Sequence, residues 1–407
     1  MISDKLIKQC EDNLKKQFEY FEEIALYNQE KVLSAFQKNR LALRHFTGTT
    51  GYGYGDEGRD VLNAVFADIF GAEKAICSPN IVSGTHALSL CLFGVLMPND
   101  KALCITGTPY DTLNDVIYGT GNGSLKDYGI EFTCIDLING EINKDKIKQF
   151  FESNGCPKMI YMQRSRGYAW RDALSINDIK NAVDFVKSLG FNGCIMLDNC
   201  YGEFLDKLEA TNVGVNLMAG SMIKNPGGGI APTGGYIVGR KDVIEQVSSR
   251  FMAPSIGLEV GSYAGSYTPF FQGCFASPSV TLNALKGSIL FGRVAEKLGF
   301  SSFPKFGEMP HDIVRTFEMG NAENLIDFCR MIQKNSPVDS TVVPFPWDMP
   351  GYNNQIIMAS GSFIQGSSIE LSADGPIRPP YLAYLQGGLN YEHVKIVAID
   401  FAQKYLG

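Results

Sequence analysis

The chain has 407 residues, with 36 basic against 43 acidic side chains for a formal charge of −7, and only 19% of its residues are charged. That balance argues against a nucleic-acid partner or an anionic membrane surface, and no run of 18 apolar residues is present to form a transmembrane helix. A length beyond the ~100–200 residues of one typical domain points to a large domain plus a smaller one.

Taken from the N-terminus, residues 3–44 place Leu6, Cys10, Leu14, Phe18, Phe21 and Ile24 at helical spacing, which predicts one or two amphipathic helices. A Gly-rich stretch follows from Thr47 to Gly58 and cannot be helical. Helical spacing resumes from Asp60 to Phe70. From about residue 75 to 240, short apolar runs at 74–78, 102–105, 131–135, 159–162 and 194–197 alternate with helical stretches such as 85–96 and 175–189. This alternation predicts an α/β domain built on a mostly parallel sheet. Thr281 to Leu298 reads as a long helix leaving that domain. The remainder reads as a small α+β unit with strands at 356–359 and 368–371 and a terminal helix from about 391. The expected division is an N-terminal helical segment 1–47, a large α/β domain 48–290 and a small domain 291–407.

Ten cysteines without a C-x-x-C pair read as reduced thiols of a cytoplasmic protein. The segment Met1-Ile2-Ser3-Asp4-Lys5 lacks the apolar stretch of a secretory signal. His45, His86, His311 and His393 are too dispersed for a zinc cluster, so no metal is expected.

The 43 glycines exceed the usual ~7%, and some form a literal G-x-G-x-x-G at Gly53, Gly55 and Gly58. A dinucleotide site needs that motif between a strand and a helix. Here the preceding text is helical, and Asp56 and Glu57 put carboxylates where a pyrophosphate would lie.

More telling are the strand ends. The apolar run Cys194 to Leu197 stops at Asp198, at the edge where α/β enzymes build their sites. Downstream, Lys224 follows Ser221-Met222-Ile223 and precedes a Gly-rich turn, far from other charges. A desolvated lysine can lose its proton and form a Schiff base. Lysine plus carboxylate is the pair that pyridoxal phosphate requires. Ser83, Gly84 and Thr85 open a helix whose N–H groups and hydroxyls would cradle a phosphate, with a plain capping turn as the alternative. Tyr110, after the next strand, is placed to stack on a ring or to fill the core.

The order S-G-T-H-A, G-x-P-Y-D-T, a strand ending in D-N, and S-x-x-K about 25 residues on resembles fold-type-I pyridoxal-phosphate enzymes of the Cys/Met metabolism group. Within it the chain is most similar to the methionine gamma-lyase-like, aluminium-resistance family, over roughly residues 45–380. The resemblance implies Lys224 as the Schiff-base lysine and Asp198 as partner of the pyridine nitrogen. It also implies Ser83, Gly84, Thr85 and Ser221 around the phosphate, with Tyr110 on the ring. Tyr52 and Tyr54 stand where the family's Y-x-R loop reaches a neighbouring subunit's phosphate, although the arginine is absent here. Arg378 falls where the family binds a substrate carboxylate; Gln163 and Arg164 are further candidates around ring or substrate.

The implied activity is elimination from a sulfur-containing amino acid, with a homodimer or homotetramer sharing its active sites. Transamination, β-replacement, aldol cleavage, or a stress-response protein that binds cofactor without turnover remain open from the residues themselves.

Overall fold

The computed structural model of the chain describes residues 2–349 and 352–406. One helix of 37 residues, α1 (Ile2–Lys38), opens it. Its apolar stripe serves two cores. Ile7, Cys10, Leu14, Phe21 and Ile24 pack with C-terminal elements, whereas Val32 and Ala35 join the core under the large sheet.

The large domain then runs α2 (Glu57–Ile69), β1 (Lys74–Ser78), α3 (Gly84–Val95), β2 (Lys101–Cys104), α4 (Asn114–Tyr118), β3 (Glu131–Cys134) and α5 (Lys144–Asn154). It continues through β4 (Met159–Gln163), α6 (Ile176–Ser188), β5 (Cys194–Asp198), β6 (Leu217–Ser221), β7 (Gly235–Gly239) and α7 (Lys241–Phe251). The seven strands form one sheet in the order β1-β7-β6-β5-β4-β2-β3. Only β7 runs antiparallel to its neighbours. The carboxyl ends of the other six therefore share one edge.

The strands read as continuous apolar runs because both faces are covered. On β5, Ile195 and Leu197 face the core shared with α2 and α6, while Cys194 and Met196 face the core shared with α3 and α7. This is the period-two alternation of a pleated strand.

Helix α8 (Thr268–Lys297) starts well before Thr281, where apolar spacing placed it. Its first turns carry Gly273, Ser277 and Pro278, small residues that blur the periodicity while permitting close packing. Ser277 Oγ donates to the Pro226 carbonyl at 2.6 Å, so this part of α8 supports the turn just after Lys224. Phe270 to Cys274 belong to the large-domain core and Ala284 to Ala295 to the C-terminal one, which puts the expected boundary near 290 inside a helix.

The C-terminal part comprises β8 (Ser302–Phe303), β9 (Arg315–Glu318), α9 (Ala322–Lys334), β10 (Ile356–Ala359), β11 (Ser372–Pro376), β12 (Leu382–Gln386) and α10 (Tyr391–Leu406). Its antiparallel sheet has the order β10-β11-β12-β9-β8. The strand expected at 368–371 is displaced to Ser372–Pro376. The Glu370 carboxylate accepts the N–H groups of Phe363 and Ile364, which holds the preceding chain in a loop. No helix among the described residues is long and apolar enough to cross a membrane, and all ten cysteines are free.

Candidate active site

A cavity of about 280 Å³ opens at the carboxyl edge of the large sheet and is closed from the far side by the C-terminal sheet. Ser83, Gly84, Thr85, Tyr110, Gln163, Asp198, Ser221 and Lys224 all line it. These eight residues come from five separate segments of the chain, brought together by the parallel strand order.

One wall is the start of α3. Ser83 is its N-cap, and its Oγ accepts the His86 N–H at 3.0 Å. The N–H groups of the first turn have no intrahelical acceptor and carry the positive end of the helix dipole. The hydroxyls of Thr85 and Thr112 meet at 2.8 Å, and Ser221 lies across the gap. A Cβ on Gly84 would stand 3.5 Å from Ser221 Cβ and 3.6 Å from Cys200 Sγ, filling the space this cradle leaves. Such a cradle suits a dianionic phosphate.

The floor holds the two charged groups. Asp198 ends β5, paired in register with Gln163 of β4 and Ala219 of β6, and accepts the Cys200 N–H at 3.1 Å. Lys224 lies three residues past the end of β6, its Nζ 4.1 Å from the centre of the Tyr201 ring. Burial works against the Lys224 ammonium, but the acidic groups around it, Cys200, Tyr201 and Asp198, outweigh that penalty and leave its proton affinity raised. Burial in turn raises the Cys200 thiol and the Tyr201 phenol. The direction for Lys224 is opposite to the one expected for a lysine that burial alone would deprotonate.

Tyr110 is set by Gln163, whose Oε1 accepts the Tyr110 N–H at 2.7 Å while its Nε2 donates to the Ser165 carbonyl at 3.1 Å. Gln163 therefore positions the aromatic wall. Tyr110 in turn shares a hydroxyl contact of 2.6 Å with Tyr352.

Two expectations are not met in this cavity. Arg164 is fully buried outside it, spending its donors on the Leu174 and Gly202 carbonyls, Asn199 and Asp206. Side chains alternate along an extended segment, and its neighbours Gln163 and Ser165 take the cavity side. Arg378 is exposed beyond the cavity wall with Nη1 on Asn354 Oδ1 at 3.0 Å. Tyr52 and Tyr54, expected at a neighbouring subunit's site, are 73% and 70% exposed on the Gly-rich loop, their rings 5.6 Å apart, and do not line this chain's own cavity.

That loop also explains its misleading motif. Asp56 is the N-cap of α2 and accepts the Arg59 N–H at 2.9 Å, the Tyr267 hydroxyl at 3.1 Å and the Thr49 hydroxyl. A carboxylate of the chain thus occupies the helix start where a pyrophosphate would bind. Gly58 is there for packing, since a Cβ on it would lie 2.4 Å from the Tyr267 ring. Segment 261–267 ties the loop down, with Gly261 N–H on the Tyr52 carbonyl and Thr49 N–H on the Tyr263 carbonyl, both at 2.9 Å.

Sequence reasoning passed over Tyr201, Tyr168, Thr112 and Asp374, which also line the cavity. Tyr201 could have been found from its place three residues after Asp198. Asp374 lies in the same stretch as Arg378 but inside β11.

The profile of the methionine gamma-lyase family matches residues 3–406 of the chain. The Bacillus subtilis (strain 168) protein YnbB, of uncharacterized function, is 49% identical over 378 residues, covering 92% of this chain and 89% of its own. A crystal structure of a carbon-sulfur lyase involved in aluminum resistance from Clostridium novyi NT superposes with a TM-score of 0.94 at 46% identity, over 99% of this chain and 96% of that one. The fold alone is shared with the pyridoxal-5'-phosphate dependent protein YhfS from Escherichia coli, with a TM-score of 0.61 at 15% identity over 94% and 96% of the two chains.

Proposed function

The chain belongs to the methionine gamma-lyase family, and on that premise we propose that it is a pyridoxal-phosphate-dependent lyase that breaks a carbon–sulfur bond in an amino acid. The observation that carries this reading is the placement of Lys224 and Asp198 in one cavity with the open start of α3. An amine, a carboxylate and an anion cradle are the three groups this cofactor needs. In this reading Ser83, Gly84, Thr85 and Ser221 hold the phosphate, Asp198 meets the ring nitrogen, and Tyr110 covers the ring face.

When bound, the cofactor supplies an electron sink for the pair left as a proton leaves the substrate's α-carbon. Lys224 has two duties. It would hold the aldehyde, and its Nζ would take that proton. Tyr201 steadies Nζ from below, and Gln163 keeps Tyr110 in place. Departure of sulfur with the bonding electrons, followed by hydrolysis, gives a thiol, ammonia and an oxo acid.

The test is product analysis on the loaded protein with cysteine and homocysteine thioethers. Thiol, ammonia and oxo acid without an added amino acceptor support elimination, and the substrate consumed tells β from γ. A strict need for an oxo-acid acceptor would point to transamination instead.

We also propose an assembly of at least two chains, dimer or tetramer, in which Tyr52 and Tyr54 complete a neighbour's phosphate site. The support is their exposure on a loop that Arg59 braces through the Gly53 carbonyl at 3.0 Å. Light scattering that finds an active monomer would contradict it.

A further inference from the structure

The wall of the cavity contributed by the C-terminal sheet carries a carboxylate without a counter-ion. Asp374 lies mid-strand in β11 and lines the cavity. Its Oδ2 accepts from Gln386 Nε2 at 3.2 Å, an amide that also donates to Ser372 Oγ at 3.1 Å. Its Oδ1 is buried with no hydrogen-bond partner. Beside it stand Tyr168 and Tyr384, ring centres 5.0 Å apart; the Tyr384 hydroxyl is likewise buried and unpartnered, and the Tyr168 hydroxyl lies next to the Asp374 carboxylate.

Lys224, the one Lys or Arg among the described residues lining this cavity, is placed over Tyr201 in the neighbourhood of Asp198. Arg378 is spent on Asn354. Burial pushes the Asp374 carboxyl up to about 6, against the Gln386 amide and the nearby Tyr168 hydroxyl, which pull it down. A buried carboxylate with a free oxygen and no cation is costly unless a ligand supplies the charge. Aromatic faces next to a carboxylate are the chemistry that receives an ammonium group.

We infer that Asp374, with Tyr168 and Tyr384, seats a cationic group on the part of the substrate that departs with sulfur. The substrate class is then a thioether amino acid whose far arm bears an ammonium. This rests on the lyase reading above and narrows it: a short neutral arm, as in an S-alkyl amino acid, would leave Oδ1 without a partner.

The experiment compares S-(2-aminoethyl)-cysteine with S-propyl-cysteine, and their homocysteine counterparts, which differ only in a terminal ammonium against a methyl. Binding to the cofactor-loaded protein is read by calorimetry and thiol release by kinetics. The aminoethyl compounds are expected to bind and react with roughly 10–100-fold preference, the range of a charge-assisted contact. The preference ratio should collapse towards one in Asp374→Asn.

A wild-type ratio of one or below, which needs no variant to fold, overturns the inference, as does a ratio that Asp374→Asn leaves intact. Preferential binding without thiol release would uphold the cation seat and contradict the lyase. Thiol release from both arms with equal efficiency would do the reverse.

Discussion

The Lys224 ammonium lies 4.1 Å from the centre of the Tyr201 ring, and the Tyr201 hydroxyl donates to Ser368 Oγ at 2.9 Å. One side chain thus lies under the Lys224 amine and joins the large domain to the C-terminal part. Its backbone has φ of +70°, a left-handed conformation that costs a residue with a β-carbon about 1–2 kcal/mol. Tyr201→Phe keeps the ring and is expected to retain most turnover. Tyr201→Ala removes it and should lower kcat by roughly tenfold or more, given what a desolvated cation–π contact contributes. Steady-state kinetics on both variants checks this, and an alanine variant as fast as wild type would contradict it.

Glu203 is fully buried behind the site, with Oε1 accepting the Tyr236 hydroxyl at 2.7 Å and Oε2 unpartnered. Burial pushes its carboxyl up to about 7, only partly offset by the Tyr236 hydroxyl and the Lys224 charge. Through the window from 4.5 to about 7 the native state holds a proton that the unfolded chain has lost. This group's contribution is therefore present at low pH and is lost as pH rises. Glu203→Gln should flatten the fall in melting temperature between about pH 5 and about pH 8, a difference on the order of 1–3 kcal/mol. Parallel melting profiles for the two proteins would rule the assignment out.

Arg166 and Asp312 form a pair with no exposed side-chain surface, Nη2 to Oδ1 at 3.2 Å, and Arg166 Nη1 also donates to the Phe303 carbonyl at 2.9 Å. The pair links the loop after β4 to the C-terminal part. Arg166→Ala leaves Asp312 buried and unpaired, so a loss of about 3–5 kcal/mol is expected in denaturant unfolding. Replacing both, as Arg166→Met with Asp312→Leu, should recover much of it. A double variant as unstable as the single one would show that the charges contribute more than their mutual compensation.

The turn after Lys224 tolerates no side chain at Gly227. A Cβ there would stand 1.7 Å from the Met222 carbonyl oxygen. Gly227→Ala is expected to destabilise the fold by several kcal/mol and to move Lys224, lowering melting temperature and cofactor retention together. Retention of cofactor with an unchanged melting temperature would show that the turn can relax.

How much of this was legible in the sequence depended on range. Asp198, Lys224 and the Ser83–Thr85 turn announce themselves through local signals: an apolar strand stopped by a carboxylate, a lysine without charged neighbours, a cap before a helix. The parallel order of β1, β6, β5, β4 and β2 then brings them together. Arg164 failed because alternation along the strand end turned it away from the side taken by Gln163 and Ser165. Asp374 was missed because Ser-Ala-Asp-Gly-Pro lacks the β-branched residues of a strand, and only its pairing with β10 and β12 makes it one. The direction of the Lys224 shift differs from that expected because burial was visible in the sequence and the gathering of Cys200, Tyr201 and Asp198 around the amine was not.

The measurement that bears most directly on the central claim is covalent labelling. The full chain is incubated with pyridoxal phosphate, reduced with borohydride, digested and analysed by peptide mass. A pyridoxyl group on Lys224, absent in Lys224→Ala and weakened in Asp198→Ala, is the expected result. Labelling scattered over surface lysines, or undiminished in Lys224→Ala, would contradict it.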